Sequence, residues 1–207
     1  VEPRVMIVIG VLGGVASGKS TVAGMFQSLG AVRLDADGAG HAVLLAPEIR
    51  EQLAARWGEG VLSGRGQIDR QKVAEIVFGS QPQALEELRY LESVTHPRIA
   101  ERLEADLREA AAAGALAAVM DAAVMLEAGW DRLCDRLVFV DVPREERLRR
   151  AHQRGWTTAQ FLAREAAQWP LARKRQRADT IIDNSGSLEE TLDQVKAVWS
   201  TWKVDRD

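Results

Sequence analysis

Five short apolar runs punctuate the chain, and each gives way to a small or acidic residue. "VMIVIGVL" leads into Gly13, "AVRLD" stops at Asp35, "LAAVMD" at Asp121, "RLVFVD" at Asp141 and "TIID" at Asp183. Longer stretches between them carry apolar residues at steps of three and four. Strand-length apolar runs alternating with helical periodicity predict an α/β fold, a five-stranded parallel sheet flanked by helices on both faces. Ligands of such sheets collect beyond the carboxyl ends of the strands, so the five run-ends are expected to face one site.

The stretch from Pro47 to Ala113 breaks this rhythm. Leu53, Val73, Ile76, Val77, Leu88, Leu91, Ile99, Leu103 and Leu107 recur there at helical spacings, without a strand pattern. It is too long for a plain connection. The expectation is a helical insertion over 47–113, hinged near "WGEGVLSGRGQ", between core segments 1–46 and 114–207. "REAAAAGALAA" reads as a helix end and the entry to a strand.

Composition narrows the class. The 207 residues allow one good core, and neither the 46% hydrophobic content nor its distribution supplies the roughly 20-residue apolar run of a membrane helix. The opening "VEPRVMIVIGVLGG" is read as the first strand and not as a signal peptide. Cys134 is the single cysteine, so no disulfide can form within the chain, which fits a cytoplasmic setting. A net charge of −3 provides no global attraction to nucleic acid or anionic lipid, and neither partner is expected. Any anion site must be local.

Residues 13–21, "GGVASGKST", supply one. Gly13, Gly18, Lys19 and Ser20 satisfy G-x-x-x-x-G-K-[ST] between an apolar run and a helical one. The backbone N–H groups of Gly14, Val15, Ala16, Ser17 and Gly18 can converge on phosphate, aided by the positive end of the following helix. Lys19 is expected at the terminal phosphates of ATP, Thr21 at an inner phosphate, and Ser20 at Mg²⁺. The Asn-Lys-x-Asp motif that reads guanine is absent, and "LAAVMDAA" lacks the acidic pair of a motor ATPase. A small-molecule kinase fits better, because it needs a base for an acceptor hydroxyl and a cationic lid that excludes water.

Asp35 and Asp37 in "DADGAGH" are the base candidates. Alternation along the second strand would point them the same way, and each carboxylate would raise the other's proton affinity if they were close. Asp37 is taken as the base, with Asp35 orienting it or a metal-bound water; the alternative makes them helix N-caps. The lid is assigned to about 147–177, where Arg147, Arg150 and Arg154 recur at helical steps and Gly155 offers a hinge. Arginine suits this task because its planar fork spans two phosphate oxygens. Without the cradle, the same run would read as a solvated helix face.

"GGVASGKST", "LDAD", "HPRI", "VFVDVPREERLRRAHQR" and "ADTIIDNSGS" together resemble the dephospho-coenzyme A kinase family, over a span from about Val5 to the final helix. The resemblance implies a P-loop kinase fold with a helical substrate-binding insertion and a lid. It implies that ATP phosphorylates the ribose 3′-hydroxyl of dephospho-coenzyme A, with Asp37 as base. It also implies that Arg150 and Arg154 touch the nucleotide at the lid, that Asn184 and Gly186 line the adenine pocket, and that His96 and Asp121 belong to the acceptor side. The expected partners are then ATP and dephospho-coenzyme A; the sequence does not reveal the oligomeric state, and a monomer is favoured. Three positions depart from the family pattern: Leu12 replaces a usual threonine, His41 a frequent arginine, and "DAAVMLE" keeps Asp121, Leu126 and Glu127 but loses a proline and a phenylalanine.

Two other readings share the cradle. One is a P-loop kinase for a nucleoside or another hydroxylated metabolite; the other is a nucleotide-gated interaction protein, which needs no base at the acceptor side. A structural role is the competing reading for the helix-terminal histidine His96. His152 is read as solvated, Cys134 as a small buried hydrophobe, and the tryptophans mainly as packing, with Trp156 and Trp169 candidates for the lid.

Overall fold

The computed structural model describes residues 6–79 and 81–202, so the extreme ends of the segments 1–46 and 114–207, at 1–5 and 203–207, lie outside it. Five strands form one parallel sheet: β1 (Ile7–Gly13), β2 (Val32–Asp35), β3 (Ala117–Asp121), β4 (Arg136–Asp141) and β5 (Thr180–Asp183), in the order β2-β3-β1-β4-β5. These are the five apolar runs. Their ends are level: Val11 and Asp35 both pair with Asp121, Gly13 with Val140, and Asp141 with Asp183. β1 is central, and the chain winds from it first toward β2 and later toward β4 and β5. That reversal opens the ligand crevice of a doubly wound sheet at the carboxyl end of β1.

One face of the sheet is covered by α1 (Lys19–Ser28) and α9 (Leu188–Thr201). Val22, Ala23 and Phe26 of α1 and Val195 and Trp199 of α9 bury against Ile9, Val11, Val119, Val138, Val140 and Ile182. Ser187 and Glu190 start α9 with a reciprocal capping box, which satisfies two backbone donors that the helix itself cannot. Downstream of β4 run α6 (Arg144–Gln153), α7 (Thr158–Ala166) and α8 (Leu171–Arg177). Gly155, at φ 79°, closes α6 in a conformation that costs glycine little, and the Thr157–Gln160 capping box opens α7.

Between β2 and β3 lie α2 (Ala36–Val43), α3 (Pro47–Trp57), α4 (Arg70–Phe78) and the 29-residue α5 (Ala84–Ala112). The described residues group into two compact units, one within Val1–Asp35 and Ala105–Asp207, the other within Ala36–Glu104. The second unit takes in α2, whose Gly40 faces the Ile99 side chain of α5, and ends at Glu104, so the last part of the 47–113 stretch, with Leu107, groups with the sheet. "WGEGVLSGRGQ" lies inside this unit. It holds a 3-10 turn (Glu59–Val61) and a bridge between Leu62 and Ile68, and Asp69 then caps α4 through the backbone N–H groups of Gln71 and Lys72.

Candidate functional site

Gly14 to Ser17 form a buried turn between β1 and α1, and Gly18, at φ 90°, is the N-cap of α1 without any side-chain cap. The open helix end and the turn therefore share one set of backbone N–H groups, the arrangement that binds phosphate. Side chains fix the turn from outside. Val15 and Ala16 bury with Ala151 of α6 and Phe161 of α7. A methyl group on Gly14 would lie 2.9 Å from a guanidinium nitrogen of Arg147, and one on Gly18 would collide with the Asn184 amide. The Ser17 hydroxyl is buried without a hydrogen-bond partner inside the loop.

The Lys19 ammonium lies over this loop, donating to the carbonyls of Gly14 at 2.9 Å and Gly13 at 3.3 Å. Ser20 and Thr21 follow in the first turn of α1, both exposed. Asp35 ends β2, whereas Asp37 sits in the first turn of α2. The alternation argument for this pair therefore does not apply, because the strand stops at Asp35 and the helix begins at Ala36. Both carboxylates are exposed. Asp37 gains from its place at a helix N-terminus, where negative charge is favoured.

Asp121, buried at the end of β3, accepts a hydrogen bond from Arg33 of the neighbouring β2 at 2.7 Å. Arg33 thereby supplies positive charge where Asp35 and Asp121 are register partners. Sequence reasoning passed over this residue, although strand alternation places it on the same face as Asp35.

The arginine-rich segment is neither a bare cationic lid nor a solvated face. Arg147 is only 2% exposed and donates to the carbonyls of Val142 and Val15, each at 3.3 Å, and to Glu165 at 2.7 Å. Its i+4 neighbour Ala151 is fully buried, so this face of α6 turns inward. Arg150 is half-buried and bridges Glu146 and the Asn184 carbonyl, both at 2.8 Å. Arg154 is the exposed C-cap of α6. Hydrogen bonds from Arg149 and Arg150 hold the Glu146 carboxyl down at about 2. Arg144 pairs with Glu165, Arg175 with Asp141 and Arg177 with Asp131, while Arg164 covers the Trp156 ring and Arg173 the Trp169 ring.

Asn184 follows β5 and is buried. Its amide donates to the Ser17 carbonyl at 2.8 Å, and its side-chain oxygen accepts from the Thr191 hydroxyl at 3.0 Å. Gly186 lies exposed in the same turn, just before the α9 capping box. The structure thus brings the cradle, Arg150 and Asn184 together in one unit, while Asp37 and His96 fall within the other. His96 and Pro97 sit inside α5 and not at a helix end, and burial lowers the His96 pKa.

Another buried cluster lies behind the segment joining α7 to α8. Lys174, 2% exposed, reaches Glu127 at 2.9 Å, Gln168 at 3.1 Å and the Ala123 carbonyl at 3.3 Å, and Glu127 also accepts the Trp169 N–H at 2.6 Å. This cluster braces one wall of a cavity of about 200 Å³ lined by Gly14, Val15, Glu165, Gln168, Trp169, Pro170 and Leu171, directly beside the cradle. Nothing in a single sequence pairs Glu127 with Lys174 across such a distance along the chain.

A centrally placed phosphate-binding turn on a five-stranded parallel sheet, with arginines converging from α6, defines a P-loop kinase fold. The dephospho-CoA kinase family model matches residues 7–190, and the chain belongs to the dephospho-CoA kinase family. A dephospho-CoA kinase of Bacillus licheniformis is 40% identical over 95% of this chain and 96% of its own length; that of Geobacillus kaustophilus is 38% identical over the same shares. Among solved structures, a Thermus thermophilus protein aligns with a TM-score of 0.77 at 36% identity, covering 95% of this chain and 97% of that one. The fold alone is shared with a shikimate kinase of Acinetobacter baumannii, at a TM-score of 0.51 and 14% identity over 99% of this chain and 97% of that one.

Proposed function

We propose that this chain transfers the γ-phosphoryl group of ATP to the ribose 3′-hydroxyl of dephospho-coenzyme A, giving coenzyme A and ADP. The observation that carries the reading is the cradle itself, a buried glycine turn at an uncapped helix N-terminus with Lys19 laid across it, in a chain of this family. Lys19 exchanges its two loop carbonyls for the β- and γ-phosphates, a better charge match for an ammonium. Arg150 and Arg154 approach the nucleotide from α6, and Asn184 and Gly186 border its adenine. Asp37 takes the proton of the acceptor hydroxyl, with Asp35, Asp121 and His96 on the acceptor side and the helices between β2 and β3 holding the rest of that substrate. The single cysteine fits a cytoplasmic setting, and a monomer is the favoured state. Among the described residues no helix is long and apolar enough to cross a membrane.

Mg²⁺ keeps several waters and takes few protein ligands when a polyphosphate supplies the others, so one exposed hydroxyl beside the cradle fits it. Ser20, exposed in the first turn of α1, is the hydroxyl that would hold it. When bound, it supplies charge neutralisation at the β- and γ-oxygens. The deciding experiment is mass spectrometry of dephospho-coenzyme A incubated with the protein and Mg·ATP. One phosphate added at the 3′-oxygen is expected; no added phosphate, or faster phosphorylation of a nucleoside, would reject the reading.

A further inference from the structure

We propose that Arg147 and Asn184 are positioning residues that aim the cradle's N–H groups at phosphate through the loop carbonyls they hold, a role for Asn184 beyond its place beside the adenine. Arg147 donates to the Val15 carbonyl, and Asn184 donates to the Ser17 carbonyl. In a planar trans peptide the C=O and the following N–H point in opposite directions. Pinning these two carbonyls toward α6 and toward the turn after β5 therefore turns the N–H groups of Ala16 and Gly18 the other way, to the side left for a ligand.

The backbone carries the mark of this constraint. Ala16 has φ 58° and Gly18 φ 90°, so the left-handed residues alternate along the turn in step with the pinned peptides, the geometry in which successive N–H groups converge on an anion. A non-glycine residue holds such a conformation only where its surroundings over-determine it. Here they do. The side chains of Val15 and Ala16 are buried against Ala151 and Phe161, and Arg147 stacks over the Phe161 ring at 5.6 Å.

Arg147 is 2% exposed, with its Nε and Nη1 groups engaged by Val142, Val15 and Glu165. Asn184 is 4% exposed and links Ser17 to Thr191. The effect proposed for both reaches phosphate through the loop they hold. The inference rests on the nucleotide cradle of the proposed function but not on the acceptor, so failure to phosphorylate dephospho-coenzyme A would leave it standing.

The test compares dissociation constants for adenosine and for ADP, by calorimetry, in the parent chain, Arg147→Met, Arg147→Lys and Asn184→Ala, with thermal unfolding of each. Arg147→Met should bind adenosine as the parent does and lose about tenfold on ADP, the scale of one charge-assisted or orienting hydrogen bond, and Asn184→Ala, at a residue that also borders the adenine, should lose more on ADP than on adenosine. Arg147→Lys, which keeps a charge and a donor, should recover most of that loss. If Arg147→Met does not fold, Arg147→Gln serves in its place, being neutral and too short to hold all three acceptors. Equal losses for adenosine and ADP would mean general loosening and overturn the proposal. A loss confined to the Arg147 variants would assign the effect to charge, since Asn184 carries none, and would overturn it as well.

Discussion

Lys19 donates to the carbonyls of Gly13 and Gly14 across the cradle, and phosphate oxygens are a better charge match for its ammonium than those carbonyls. Lys19→Ala should therefore lower kcat/KM by at least about 10²-fold, the scale of one lost transition-state donor, while the unfolding midpoint stays near that of the parent. Steady-state kinetics and calorimetry on the same preparation check both halves. Asp37 answers a different question. Asp37→Asn retains a good helix-terminal residue but removes the basic oxygen, so a fall of about 10²–10⁴ in single-turnover transfer with unchanged ATP binding is expected of a base, and little change of a cap. Cys134 offers a control away from the chemistry. Burial, reinforced by Asp131 and Asp135, pushes its thiol up to about 12, so thiolate is scarce at pH 8 and iodoacetamide should label the folded chain far more slowly than the unfolded one.

At the scale of elements, α6 joins the cradle to the rest of the nucleotide side, because one of its faces carries both the buried Arg147 and the half-buried Arg150. Arg150→Ala removes the donor to the Asn184 carbonyl and leaves Glu146 with Arg149 alone. Turnover should fall more than acceptor affinity, by at most about 10³–10⁵, and normal turnover would return the arginine to a surface role. The elements themselves were largely legible in the sequence. The inner strands β1, β3 and β4 carry continuous apolar runs because both of their faces are buried, whereas the edge strands β2 and β5 are partly exposed and shorter. What could not be read was depth and termination. A three-four spacing places Arg147, Arg150 and Arg154 on one side of a helix but does not say that Arg147 is enclosed, which depends on α7 and its Glu165 closing over it. Two residues beyond a strand look like a continued alternation, yet α2 begins at Ala36 and moves Asp37 onto a helix. The His96–Pro97 pair looked terminal because proline removes an N–H and disfavours a helical predecessor, but α5 runs through it.

For the whole molecule, the cradle's position between the central strand and α1 ties ligand binding to the stability of the unit that contains the sheet. A ligand that binds only the folded chain stabilises it by RT ln(1 + [L]/Kd), about 2.7 kcal/mol at a hundredfold excess over Kd. For a chain of this size each kcal/mol moves the unfolding midpoint by about 2–4 °C, so saturating ADP should raise it by roughly 5–10 °C. Two substitutions separate the sources of that shift. Phe26→Ala empties a fully buried site between α1, the sheet and Trp199, whose ring centroid lies 6.3 Å away, and should cost about 3–5 kcal/mol without ligand while leaving the ADP increment intact, because the loop's own contacts are untouched. Lys19→Ala should do the reverse, preserving the midpoint without ligand and losing much of the increment. Scanning calorimetry of the three proteins with and without ADP reads both quantities at once. If Phe26→Ala erased the increment, or Lys19→Ala kept it whole, phosphate binding would not reside in the turn between β1 and α1, and the nucleotide would have to be held elsewhere.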